Sequence, residues 1–387
     1  MKALLFERKV AKYAAAAVAG RILPGKGAAV GPIRLADVDP PELPADGWVR
    51  VRPRLSGICG SDLATIDGQS SRYFEPIVSF PFTPGHEVVG DTDDERRVVV
   101  VPILTCVVRG ISPVCAQCAA GRANLCERTA FGHIEPGLQS GFCESTGGGW
   151  GIELVAHESQ LVAVPDALTD EQAVLVEPTA CAVHAARQIA SAGAPDVAVV
   201  GAGTLGLLTI AALRALGAVP GRLLATARYP QQRSLALALG ADTVCDPGAL
   251  GRHVRTLTGS WVVDEDRLTG GIGTVVDCVG SGDSLQQALD VATPGGTVFV
   301  VGMPGHTSLD LTGLWHREIA MRGCYAYTHD DFATAIDVVQ SADLGRLVSA
   351  TYPLARYREA IEHAAQAGGR GAVKVAFDLR NEKERNR

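Results

Sequence analysis

Between residues 48 and 164 the apolar positions fall in short runs (48–51, 98–101, 161–164) separated by glycine and proline, with little helical periodicity. That texture predicts a mostly β segment. Past Pro165 the pattern changes: residues 169–192 read as helices, 197–200 as a compact apolar strand and 205–216 as a long apolar helix. Strand and helix then alternate through 223–226, 232–239, 274–278, 284–292 and 297–301, the signature of a parallel sheet with crossover helices. A doubly wound α/β domain is therefore predicted at 171–325. The remainder, 326–387, carries amphipathic helices at 332–341 and 356–367, a closing strand at 372–377 and a charged, frayed tail after Asp378. No internal repeat is visible.

A length of 387 residues suits two domains, or one with a large insertion, and 47% hydrophobic with 20% charged residues is ordinary globular usage. Lys and Arg number 35 against 42 Asp and Glu, a net charge of −7, and no basic block is present, which disfavours nucleic acid as a partner. No apolar run reaches the roughly 20 residues that a bilayer requires, so no membrane span is expected. The alanine run at 14–19 follows Lys9 and Lys12 but is closed at once by Arg21, too short for a secretion signal, and a cytoplasmic protein is expected. Of ten cysteines, Cys106, Cys115, Cys118 and Cys126 crowd one glycine-containing loop. Such crowding points to metal ligation in a reducing compartment rather than to disulfides.

Two sets of residues carry candidate chemistry. The segment VAVVGAGTLG at 197–206 puts Gly201, Gly203 and Gly206 in G-x-G-x-x-G spacing directly after a strand, with Thr204 and Leu205 opening the next helix. Glycines there allow a tight turn, close approach to a pyrophosphate and close helix packing, while the helix N-terminus offers amide donors to the anion. The strand at 297–301 ends in Gly302, whose end should face the same crevice. Separately, Cys59 in GICGSD, His86 and Glu87 in PGHE, and Glu177 in VEP place a thiol, an imidazole and carboxylates where an open zinc site would need them. Taken singly, each reads more simply as a buried free cysteine, a capping or core histidine or a surface glutamate.

In order along the chain, these motifs resemble the medium-chain zinc-dependent dehydrogenases, the alcohol, sorbitol and threonine dehydrogenase family. The resemblance extends to DCVG at 277–280 and PGG at 294–296. It implies a β-rich, GroES-like catalytic domain formed by 1–170 and 326–387 around a Rossmann domain at 171–325, with the active site in the cleft between them. It also implies catalytic zinc on Cys59 and His86, Glu87 as a neighbouring or exchangeable ligand, and Glu177 in the role that the polyol and threonine branch gives a glutamate. Ser61 matches the hydroxyl that hydrogen-bonds the substrate oxygen and begins proton transfer; its plainer role is a capping serine. Where many relatives carry a relay histidine, this chain has Ala64, so the proton must leave by another route.

The cysteine loop departs from the family's C-x2-C-x2-C-x7-C as well, since Ser112 stands at the expected first position. Cys106 completes the set if 107–112 is an insertion, giving structural zinc on Cys106, Cys115, Cys118 and Cys126. The residue that accepts the ribose hydroxyls in NAD-dependent members is Ala227 here, followed by Arg228 and Arg233. The missing carboxylate removes repulsion of a 2′-phosphate and the arginines suit one, so NADP should be preferred over NAD. The expected substrate is a small alcohol or polyol, or its carbonyl form, and a homo-oligomer, dimer or tetramer, is expected from the family. The rivals are a zinc-free quinone or enone reductase on the same fold, a zinc-lobe interaction protein, and a structural protein without turnover. Tyr73, Phe74 and the 137–150 segment, with its GGG run at 147–149, are candidate pocket walls or surface loop.

Overall fold

The computed structural model describes residues 1–193, 195–264 and 267–380. It divides into two compact units, one comprising Met1–Glu177 and Asp343–Arg387, the other Pro178–Ala342. No helix among the described residues is long and apolar enough to cross a membrane.

The second unit is built on six parallel strands in the order Thr243–Cys245, Leu223–Thr226, Val197–Val200, Ile272–Asp277, Ala292–Val300 and Ala320–Gly323. Strand sequences such as VAVV and LLAT are buried at every position, as a sheet covered by helices on both faces demands. Chain order reverses between Val197–Val200 and Ile272–Asp277, where Val200 pairs with Asp277, the switch point at which sheets of this kind bind ligands. The helix Thr204–Ala215 is buried over most of its length, which is why its sequence is apolar all round.

The predicted boundaries move at both edges. Helix Asp170–Ala173 stays with the β-rich unit because the buried Asp170 carboxylate pairs with Arg54, Arg97 and Arg380. Helix His329–Ser341, expected in the C-terminal part, joins the parallel-sheet unit. There its Asp331 carboxylate accepts from Arg187 at 2.6 Å and His184 at 2.8 Å, while Phe332, Ala335, Val338 and Val339 are buried.

The first unit holds a seven-stranded sheet in which Lys374–Asp378, Trp48–Gly57, Val88–Thr92, Arg97–Val100 and Leu161–Ala163 follow one another. Val348–Tyr352 pairs outside Lys374–Asp378, and Leu154–His157 also pairs with Trp48–Gly57. The closing strand runs antiparallel to Trp48–Gly57, with Ala376 opposite Gly57 and the Ile58 N–H donating to Val375 O at 3.0 Å. Segments far apart in sequence, 48–58 and 374–378, therefore meet in this unit. An aromatic core of Phe6, Phe82, Phe142, Trp150 and Phe377 lies beneath.

Four features refine the sequence reading. The alanine-rich segment forms helix Val10–Ile22 between strands Lys2–Phe6 and Ile33–Asp37, as alanine's helix preference favours, and Asp67 accepts from the Gly25 and Gly27 amides that follow it. The 147–149 glycines serve packing: a Cβ on Gly148 would lie 2.1 Å from Thr83 O. Tyr73 is 78% exposed. Finally, Arg380 is anchored by Asp378, Asp170 and Glu171 rather than frayed, and 381–387 of the tail lie outside the described residues.

Candidate active site and cofactor turn

In the β-rich unit the ligand atoms of Cys59, His86 and Glu87 lie within 4.8 Å of one another. Cys59 is the N-cap of helix Gly60–Ile66, where the Asp62 carboxylate accepts from the Cys59 N–H at 3.0 Å. The other Asp62 oxygen faces His86 Nδ1 at 3.5 Å, both groups being buried. A carboxylate behind one imidazole nitrogen orients the ring and leaves Nε2 as the ligand, which is how metal-binding histidines are held. Burial alone would lower the His86 pKa, but the charge of Asp62 and the proximity of Cys59 hold it well above the ordinary value. The Phe142 ring, centred 5.9 Å from that of His86, supplies an apolar wall.

Glu87 is buried where Gly57 leaves room, since a Cβ on Gly57 would lie 1.8 Å from Glu87 Oε2. Its partner is Lys374, a fully buried lysine from the closing strand that contacts Glu87 Oε2 and donates to Ile58 O at 3.1 Å. Burial opposes the lysine charge, yet Glu87, Cys59 and Glu177 raise its pKa above the usual lysine value. Lys374 was invisible to motif reading because nothing in AVKVAF marks it. Glu177 is buried and near enough to act on Lys374, but it stands outside the compact ligand group. Ser61 does not cap the helix; its hydroxyl has no partner among the described residues, and Thr65 bonds only its carbonyl, at 2.9 Å.

The second set gathers as well: the sulfurs of Cys106, Cys115, Cys118 and Cys126 lie within 4.8 Å of one another. Cys106 and Cys126 are 3.7 Å apart, far beyond a disulfide bond. Backbone N–H groups of Cys115, Cys118 and Glu127 point at these sulfurs from 3.3 to 3.5 Å. The four thiols differ: burial raises the Cys115 pKa but the Cys118 and Glu127 amides bring it below the ordinary thiol value, whereas burial and neighbouring sulfurs hold those of Cys118 and Cys126 above it. The donor chemistry and compactness of both groups fit zinc.

In the parallel-sheet unit, Gly201 follows strand Val197–Val200 with φ 93°, a conformation that favours glycine. A Cβ on Gly206 would lie 1.8 Å from Gly201 O, so helix and turn can meet only without one, whereas Gly203 has nothing within 4 Å of its Cβ position. That open space lies at the start of the helix opened by Thr204 and Leu205, where a helix N-terminus leaves backbone N–H groups available to an anion. Gly302 packs against the backbone of 278–280, its Cβ position 2.6 Å from Val279 N, so its role is to let two strand ends meet. Ala227 is buried and Arg228 exposed, without an ion-pair partner among the described residues. Arg233 is engaged: it pairs with Asp246 at 2.5 Å and donates to Ala227 O at 3.0 Å.

The profile of the alcohol dehydrogenase GroES-like domain matches residues 45–166, and that of the zinc-binding dehydrogenases matches 204–341. The chain belongs to the medium-chain zinc-dependent dehydrogenase family. Its similarity to family members spans nearly the whole chain. An L-idonate 5-dehydrogenase of Vitis vinifera is 26% identical over 356 residues, 90% of this chain and 93% of that relative. A sorbitol dehydrogenase of Bacillus subtilis is 28% identical over 82% of this chain and 86% of its own. The solved alcohol dehydrogenase of Thermus sp. ATN1 shares the fold with a TM-score of 0.72 at 24% identity, covering 98% of this chain and all of that one (100%).

Proposed function

We propose that this dehydrogenase interconverts a polyol and its carbonyl form with NADP, using zinc at Cys59 and His86. The observation that carries the reading is the compact Cys59, His86 and Glu87 group backed by Asp62 and Lys374, an arrangement that a zinc-free reductase has no use for. Relatives that act on idonate and sorbitol favour a polyol over a simple alcohol. When bound, zinc supplies polarisation that brings an alcohol's pKa toward neutrality, and the nicotinamide supplies the hydride acceptor. The chain's own residues do the rest. Asp62 fixes the His86 ring, Lys374 holds Glu87 in place, and the Ser61 hydroxyl, without a partner among the described residues, hydrogen-bonds the substrate oxygen and takes its proton as it passes its own on toward solvent. Glu177 adds a further buried carboxylate to the site, and the four-cysteine lobe holds a structural zinc.

The NADP preference rests on Arg228 alone of the two arginines, since Arg233 already has Asp246 as partner. A homo-oligomer is part of the reading: the edge strand Ala320–Gly323 is exposed at every position, a pairing surface that a second copy would cover. So is a cytoplasmic location, because zinc thiolates persist in reducing surroundings.

The test is a screen of polyols and simple alcohols with NAD and NADP on the wild type and Arg228→Ala, together with elemental analysis. About two zinc ions per chain are expected, with turnover of a polyol and an NADP preference that R228A loses. Absence of zinc from the group that Cys59→Ser disrupts would overturn the catalytic assignment, and a wild type that prefers NAD would overturn the cofactor choice.

A further inference from the structure

The insertion at 107–112 carries Arg109, a guanidinium with 0% exposure and no carboxylate within ion-pair distance among the described residues. Its donors all go to carbonyls: Nε to Leu104 at 3.2 Å, Nη1 to Phe131 at 3.0 Å and to Ile134 and Glu135 at 3.3 Å each, and Nη2 to Gly137. Carbonyl dipoles solvate a cation without neutralising it, and an uncompensated buried charge costs several kcal/mol, so an anion should be at hand.

The lobe supplies one. Arg109 stands three residues past Cys106 in a turn closed by the Arg109 N–H to Thr105 O at 3.0 Å and the Ile111 N–H to Cys106 O at 2.9 Å. Burial lowers the Arg109 pKa, and the neighbours that oppose this and favour its charge are sulfurs: Cys143 first, then Cys126 and Cys106 of the lobe. Four thiolates around one divalent cation leave two net negative charges in a partly buried loop, and those need compensation as much as the arginine does. We propose that Arg109 is the counter-charge of a zinc tetrathiolate on Cys106, Cys115, Cys118 and Cys126, so that the insertion which displaces the first cysteine also brings the cation that stabilises the displaced site. This rests on the zinc reading of the lobe. The carbonyl fork fixes where the charge sits, tying Leu104, on the entry side of the lobe, to residues 131–137 on its exit side. Arg109 is thus a positioning residue for the lobe metal and touches no substrate.

The experiment measures zinc release from the full-length chain to a chromophoric chelator in a Cys59→Ser background, so that the lobe is the remaining zinc set. Arg109→Met, which keeps length and apolar stem, should lose lobe zinc at least tenfold faster than wild type, within the range for residues that support metal ligands. Arg109→Lys, which keeps the charge but not the fork, should retain zinc close to wild type. Release from R109M at the wild-type rate overturns the proposal. So does R109K releasing as fast as R109M, since the fork rather than the charge would then be what matters. If R109M does not accumulate as folded protein, R109K decides alone: retention supports the counter-charge, and rapid loss overturns it. A wild-type lobe that binds no zinc would instead defeat the reading of the four cysteines, which the metal count before chelation reports separately.

Discussion

Lys374→Met is the most informative perturbation of the candidate active site. The lysine and Glu87 side chains are 3% and 1% exposed, so neither charge can turn to water when the other is removed. Methionine preserves the stem and deletes the charge, leaving a buried carboxylate whose former cation is gone. Removing one partner of a buried pair costs about 3–5 kcal/mol. The cost depends on metal: a divalent ion on Cys59 and His86 restores positive charge beside Glu87, so the zinc-loaded chain should lose much less than the chelated one. Adding Glu87→Gln removes the stranded charge, so K374M/E87Q should recover most of the loss, the non-additivity expected of contacting residues. Urea unfolding of the wild type, both single variants and the double variant gives the four free energies of the cycle, once with chelator and once without. Tryptophan fluorescence will report mainly the β-rich unit, because Trp48 and Trp150 are buried whereas Trp261 and Trp315 are exposed. A loss below about 1 kcal/mol for chelated K374M, or a double variant no better than the single, would refute the idea that this pair neutralises the site.

The glycine turn gives a paired test by cofactor fluorescence titration. Gly206→Ala, forced into Gly201 O, should reduce both thermal stability and cofactor affinity, whereas Gly203→Ala, with open space at its Cβ position, should reduce affinity and leave stability unchanged; equal stability losses would contradict this reading of the turn. Asp331 is raised by burial but held down to about 2 by His184 and Thr328, below its ordinary 3.8. Its contribution, roughly 2 kcal/mol by linkage, is therefore complete above about pH 4 and lost as pH falls toward 2, so Asp331→Asn should lower stability at pH 6 and flatten the acid limb of the urea midpoint against pH. Glu177→Ala should cut turnover while costing little stability, and a variant with normal zinc and turnover would reduce Glu177 to a helix-start carboxylate stabilised by the dipole.

What could be read in the sequence was whatever is periodic or contiguous. The apolar runs 197–200 and 223–226 are strands because a sheet buried on both faces needs unbroken hydrophobicity, and the glycine spacing at 201–206 survives translation into geometry because each glycine answers a local backbone requirement. The Cys59, His86 and Glu87 group was legible through short motifs. Helix Val10–Ile22 carries no apolar–polar alternation to mark it, and only alanine's helix preference points to it.

The illegible part is the set of side-chain partnerships across distant segments. Arg233 looked like a phosphate ligand because sequence shows charge without its partner, and Asp246 lies on the far side of a helix and a strand. The domain edges moved for the same reason: Asp170 reads as a helix-start residue, yet three arginines from three segments hold its carboxylate in the β-rich unit. Lys374 is the sharpest case. A lone lysine in a closing strand normally faces water, and only the antiparallel pairing of Ala376 with Gly57 carries it into the layer of Cys59 and Glu87, where its charge must be matched. A buried cation thus marks both chemical centres of this unit, Lys374 beside the Cys59 group and Arg109 beside the lobe. For Lys374 the acidic groups it answers, Glu87 and Glu177, come from segments that only the fold brings together.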